Sequence, residues 1–192
     1  MKRHLIFLYL FIVSGLLLSG CDRSKQQEQE HAISEPAHYD PLFQRDENCD
    51  FRGIRWGMSP EEVKVTEDME VFEEGPDLKQ GKYFIYYKDI PFRGFERVGL
   101  RYFFIENKCF LGVYYFYQID ESGHHKLLQF SEEIYGTEHR IFITSTHWAN
   151  SWKLINNIVL LKFFPDTDIG KFATLMFISE QLAPHEWIES LS

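Results

Sequence analysis

Phe51-Arg52-Gly53-Ile54-Arg55-Trp56-Gly57-Met58-Ser59-Pro60-Glu61-Glu62-Val63 is the stretch on which the fold turns. Ile54, Trp56 and Met58 alternate as on one face of a short strand, and Ser59 then offers a helix N-cap with Pro60 at the first helical position. Glu62, three residues after Ser59, completes a capping box, and Met58 and Val63 occupy the two positions of a hydrophobic staple. An extended segment turning into a short helix is expected, and its residues serve structure rather than chemistry.

Strand signals dominate downstream. Residues 83–87, 98–105 and 109–117 are rich in aromatic and β-branched side chains, and Glu106-Asn107-Lys108 is short enough to join the last two as a hairpin. The period then changes. Leu127, Phe130 or Ser131, and Ile134 share one helical face, with Gly136 placed to cap the C-terminus. Residues 147–155 and 158–164 flank Asn156-Asn157, a tight turn that asparagine favours, and a last strand runs through residues 172–179. Helix then strands thus occurs over residues 59–118 and again over 122–179. The expected class is α+β: two tandem units, each a helix followed by antiparallel strands, forming one sheet with the helices on one face.

This arrangement resembles the β-lactamase-inhibitor-protein fold and, less closely, the small lipoproteins of the outer-membrane β-barrel assembly machine. The opening from Phe51 to Val63, the Tyr135-Gly136 helix end and the Trp152 strand also resemble a broad group of secreted bacterial proteins of unassigned function. The resemblance implies a fold and brings no catalytic residues. The barrel-assembly members are shorter and carry one such unit.

Toward the N-terminus the chain changes character. Lys2 and Arg3 precede an apolar run over residues 5–18, which ends in Leu18-Ser19-Gly20-Cys21. The pattern resembles a bacterial lipoprotein signal, or lipobox, at every position. That resemblance implies a diacylglycerol thioether on the Cys21 sulfur, cleavage before Cys21, and an acyl chain such as palmitate on the freed amine. The apolar run is shorter than the roughly 20 residues that a membrane-spanning helix needs; an uncleaved anchor is the alternative. Two or three acyl chains hold a protein on a membrane where one alone binds marginally. Asp22 resembles the inner-membrane retention signal of Gram-negative lipoproteins, whereas in a Gram-positive organism the protein would face the cell exterior. The expected organisation is residues 1–20 as signal peptide, 21–48 as lipidated cysteine and disordered tether, and 49–192 as one α+β domain. The tether carries Gln26-Gln27-Glu28-Gln29-Glu30, and its span is roughly 30 Å.

Charge narrows the partners. The chain has 20 Lys and Arg against 29 Asp and Glu, a net charge of −9, which disfavours nucleic acid and anionic headgroups. No glycine-rich phosphate loop, paired cysteine motif or nucleophile elbow is legible, so no catalytic residue, cofactor or metal is assigned. Cys49 and Cys109 form a possible disulfide in an oxidising compartment, which would contribute about 4 kcal/mol across so long a loop; two buried thiols are the alternative. His124-His125 point in different directions at a helix start, and Asp166-Thr167-Asp168-Ile169-Gly170 resembles the start of a calcium loop but has Gly170 at the fifth position and Phe177 at the twelfth, where acids are needed.

Aromatic residues make up 17% of the chain and are not confined to one strand face. In residues 110–117, Phe110, Tyr114 and Phe116 fall on one side and Leu111, Val113, Tyr115 and Tyr117 on the other. A sheet covered by helices on one face needs to bury only one of these. Tyr115 and Tyr117 are therefore the candidate partner surface, unless loops or the C-terminal segment around Trp187 cover them. The expected function is a non-enzymatic, membrane-anchored module of the cell envelope that binds an envelope protein. The alternative is a lipid-anchored small-ligand binder or enzyme whose site assembles from distant residues.

Overall fold

The capping box predicted at Ser59 forms as expected. In the computed structural model the Ser59 backbone N–H donates to the Glu62 carboxylate at 2.8 Å and the Ser59 hydroxyl accepts from the Glu62 N–H, opening α1 (Pro60–Glu67). The described residues are 40, 42–77 and 82–189, with the side chains of Trp187 and Glu189 excepted. They belong to one compact unit, Tyr39–Ser192. The expected signal peptide, Cys21 and most of the tether lie outside the described residues.

After α1 come β1 (Glu73–Asp77), β2 (Lys82–Tyr87), β3 (Val98–Ile105) and β4 (Lys108–Tyr117). They are followed by α2 (Glu121–Tyr135), β5 (Arg140–Ile143), β6 (Trp148–Lys153), β7 (Asn157–Phe164), β8 (Phe172–Ser179) and α3 (His185–Glu189). All eight strands join one sheet in the order β1-β2-β3-β4-β8-β7-β6-β5, every neighbouring pair antiparallel. The α+β class stands. The central pair, β4 and β8, comes from distant parts of the sequence, so the middle of the sheet is built from non-local contacts.

Each face of the sheet has its own apolar cluster. On the first, Ile85, Tyr87, Leu100, Tyr102, Tyr114, Leu161, Leu175 and Phe177 pack with Val63 of α1 and Leu127 of α2. On the second, Phe84, Tyr86, Phe103, Phe110, Leu111, Val113, Ile158 and Ile178 pack with Leu182, Ala183 and Ile188 of the C-terminal segment. Phe110 corrects the sequence expectation. The β3–β4 register shifts between Phe103 and Phe104, whose partners are Leu111 and Cys109. The extra residue of this bulge is Phe110, which joins Leu111 on the second face instead of Tyr114 on the first.

The packed chain begins before Cys49. Phe43 is 1% exposed in the first cluster, and Gln44 bridges Arg52, so the tether ends earlier than composition suggested. Asp46, Asp50 and their polar neighbours hide this, because Phe43 is a single aromatic anchor in a polar stretch. Residues 54–58 give only isolated bridges rather than the expected strand, although Ile54 is fully buried. This segment is tied to the domain by a buried polar network. Arg52 donates to both Glu67 carboxylate oxygens at 2.8–3.1 Å and to the Tyr114 hydroxyl at 2.8 Å. Tyr102 donates to Glu67, and Tyr114 to the Leu42 carbonyl at 2.7 Å. Burial acts against the Arg52 charge, but Tyr114, Glu67 and Tyr102 together raise its pKa above the usual value.

Cys49 and Cys109 are buried free thiols, the alternative to the possible bridge. Cys109 lies inside the first-face cluster with its backbone paired to Met58 and Gly57, while the Cys49 sulfur sits 3.5 Å from the Asp46 carboxylate outside that cluster. Burial pushes both thiols above their usual pKa.

The two edges differ in chemistry. β1 reads Glu73-Glu74-Gly75-Pro76-Asp77, with Pro76 unable to donate a backbone hydrogen bond. β5 reads Arg140-Ile141-Phe142-Ile143, and Ile141 and Ile143 are 65% and 75% exposed.

Candidate functional site

The second face becomes a site where the C-terminal segment stops covering it. Leu182, Ala183 and Ile188 cover the end near Phe84, Phe110 and Ile178, so part of the face is core. Beyond them the strand register sets out rows in which Tyr115, Tyr117, Lys162, Phe164 and Phe172 remain half-exposed. Tyr117 on β4 pairs with Phe172 on β8, which pairs with Phe164 on β7. Phe164 and Phe172 stack with centroids 4.4 Å apart, and His147 lies 5.3 Å from Phe164. In the next row Gly99 on β3 pairs with Tyr115, Tyr115 with Thr174 and Thr174 with Lys162. Tyr115 and Tyr117 stack at 6.2 Å with their planes 12° apart. The two tyrosines singled out in the sequence therefore come together, in company the sequence did not single out.

Arg101, two residues along β3 from Gly99, lies among aromatic rings. Its guanidinium carbon is 4.6 Å from the Phe84 centroid, 5.0 Å from Tyr86, 5.6 Å from Tyr115 and 5.8 Å from Phe103. Such contacts hold a cation at a ring face without neutralising it. Arg101 Nε is buried without a hydrogen-bond partner, and so is the Thr174 hydroxyl. No carboxylate of a described residue lies within ion-pair distance of Arg101 or Lys162. Burial lowers the Lys162 pKa and pushes that of Tyr115 up to about 12.

Gly99 matters here for lack of a side chain. A Cβ at Gly99 would stand 2.5 Å from the Tyr86 hydroxyl, so only glycine lets the Tyr86 ring lie across β3. There burial, with the Tyr117 hydroxyl nearby, raises the Tyr86 pKa above its usual value. Beside them a recess of about 380 Å³ is lined by Tyr86, Lys88, Asp89, Arg97, Gly99 and Tyr117. Arg97 donates to the Gln118 side chain at 2.7 Å.

Other candidates offer less. A recess of about 540 Å³ includes His139, Ser151, Lys153 and Glu180, but Lys153 and Glu180 already pair at 2.9 Å. His124 is 4% exposed and stacks on Phe163 at 4.9 Å, with both ring nitrogens unpartnered; burial lowers its pKa to about 4. Asp166 to Gly170 makes a turn, with the Gly170 N–H donating to the Thr167 carbonyl at 2.9 Å. Among the described residues, no three His, Cys, Asp or Glu side chains gather as metal ligands would, and no helix is long and apolar enough to cross a membrane.

The geometry of the second face suits binding. It offers aromatic contact area, a buried hydroxyl and two cations that meet no carboxylate of a described residue. Arg101, Lys162, Phe164, Phe172 and Thr174 escaped sequence reasoning because their strands are far apart in the chain. Alternation along β3, β7 and β8 was the available signal, and it needed the cross-strand register to become a surface. No family model, curated protein or solved structure matches this chain.

Proposed function

We propose that this chain is a membrane-anchored bacterial lipoprotein of the cell envelope and a non-enzymatic protein-interaction module that binds an envelope partner through the second face of its sheet. The observation that carries the binding role is the half-exposed cluster of Tyr115, Tyr117, Phe164 and Phe172 at an otherwise well-packed sheet. Aromatic side chains supply large contact area at low entropic cost, which is why they concentrate in protein interfaces. The anchor rests on Leu18-Ser19-Gly20-Cys21, and Asp22 favours the inner membrane if the organism is Gram-negative.

In the same reading the fold is two tandem helix-then-strands units with α1 and α2 on one face. The element order and the packing of Val63 and Leu127 into one cluster support it.

Proximity crosslinking in intact cells tests the whole reading. The wild-type chain should reside in the membrane fraction and capture a reproducible protein, and Cys21→Ala should lose both. Tyr117→Ala should lose the capture while keeping the membrane location. Capture unchanged by Tyr117→Ala and Tyr115→Ala would remove the second face from the interaction.

A further inference from the structure

Around Tyr115 and Thr174 the second face carries a charge opposite to that of the molecule. The chain carries a net −9, yet the two charged side chains among the aromatic rows, Arg101 and Lys162, are cations with no carboxylate of a described residue in reach. Both are partly buried, and Arg101 Nε and the Thr174 hydroxyl lack hydrogen-bond partners. A guanidinium withdrawn from water with one donor unmet binds an anionic acceptor more strongly than an exposed one does.

The strand register gives the spacing. Arg101 and Lys162 are separated by the three strand gaps from β3 through β4 and β8 to β7, about 14 Å, with a two-residue step of about 7 Å along the strands. Between them lie Tyr115, Val113 and Thr174. In an extended peptide, residues i and i+4 point the same way about 13 Å apart, and the long Arg and Lys side chains cover the remainder. Residue i+2 of the peptide would then lie over Tyr115 and Thr174, where an apolar side chain fits.

Building on the proposed binding role, we infer that the partner presents an extended acidic segment of the form acidic-x-apolar-x-acidic, one carboxylate meeting Arg101 and the other Lys162. An anionic membrane surface is the lesser match. Its headgroups would meet the whole acidic surface of the protein, whereas a peptide of five residues covers little beyond the two cations and the residues between them.

The test uses the full chain in zwitterionic detergent, an array of pentapeptides of that form, and a second array with Gln and Asn in the acidic positions. The acidic array should bind at least about tenfold more tightly, and the advantage should shrink as salt rises. Arg101→Gln and Lys162→Gln should each remove about tenfold, and Lys162→Glu should turn the preference toward Lys at one end of the peptide. Thermal melts of each variant separate loss of binding from loss of fold, and Lys162 at the border of the face is the safer substitution. Equal binding of the two arrays, no binding by either, or indifference to both Gln variants would overturn the inference. So would binding to phosphatidylglycerol vesicles that depends on Arg101 and Lys162 when peptide binding does not. A photo-crosslinker at Tyr117 in cells keeps the two readings apart. A defined protein captured there despite charge-blind peptide binding leaves the docking face standing and removes only the acidic segment.

Discussion

Tyr114 and Tyr115 are neighbours on β4 and have opposite fates. Tyr114 faces the helices, is fully buried, and its hydroxyl is fixed between the Arg52 guanidinium and the Leu42 carbonyl. Tyr115 faces the other way, half-exposed, stacked on Tyr117 and beside Arg101. Both faces hold an arginine among aromatic residues. On the first, Arg52 is bidentate with Glu67; on the second, no carboxylate of a described residue meets Arg101. The difference separates a completed core from a surface that is aromatic and charged but not neutralised. A buried cation given its carboxylate serves the fold, and one left without it is available to another molecule.

The sharpest way to break that contrast is to make the first face resemble the second. Glu67→Ala strands the Arg52 charge in the interior and leaves Tyr102 without its acceptor. A loss of about 3–5 kcal/mol in unfolding free energy is expected by denaturant titration, the usual cost of removing one partner of a buried ion pair. A loss below about 1 kcal/mol would show that water reaches Arg52 and that the two arginines are alike after all.

Acid gives the next largest effect. His124, stacked on Phe163 of the first face, has its pKa lowered to about 4 by burial and then by the neighbouring His125. Between that value and the ordinary 6.5, the unfolded chain binds a proton that the folded chain does not. Stability from this group is therefore present above pH 6.5 and lost as pH falls toward 4, by at most about 3 kcal/mol. His124→Phe preserves the stack and removes the proton, so its unfolding free energy should fall less between pH 7 and 4.5 than the wild type's. Parallel curves for the two proteins would place the His124 ring in contact with water.

Tyr117→Ala on the second face should cost about 1 kcal/mol or less in a thermal melt, because a half-exposed ring loses only part of its buried area. Partner capture should nevertheless fall sharply. A large loss of stability with unchanged capture would assign the second face to the core. The smallest effect belongs to the edge: Ile143→Lys, on a side chain 75% exposed, should change stability by no more than about 0.5 kcal/mol.

What the sequence disclosed follows the range of the physics. The α1 cap, the Glu106-Asn107 hairpin with both residues at positive φ, and the Gly136 cap of α2 are local, and each was legible from a few adjacent residues. The turn near Asn157 was placed about one residue late: the Leu154 N–H bonds the Asn157 carbonyl, so Ile155 and Asn156 form its centre. β1 and β5 were missed because a run of acids with Gly75 and Pro76, and a strand of only four residues, carry little strand signal of their own. Each forms because β2 or β6 supplies a ladder to pair with. The bulge at Phe110 follows from the shift between β3 and β4, so alternation assigned Phe110 to the wrong face. Of the candidate site, Tyr115 and Tyr117 could be found along one strand. Arg101 and Lys162 could not, since they become neighbours in function only across β4 and β8.

The unequal edges set how far copies of the chain could join edge to edge. Pro76 and the acids of β1 close one side of the sheet, while β5, the strand at the other edge, exposes Ile141 and Ile143. Two molecules joined β5 to β5 would each turn a closed β1 outward. Growth by this route therefore stops at a symmetric pair, and a fibril, which needs two open ends per unit, has no second end from which to extend.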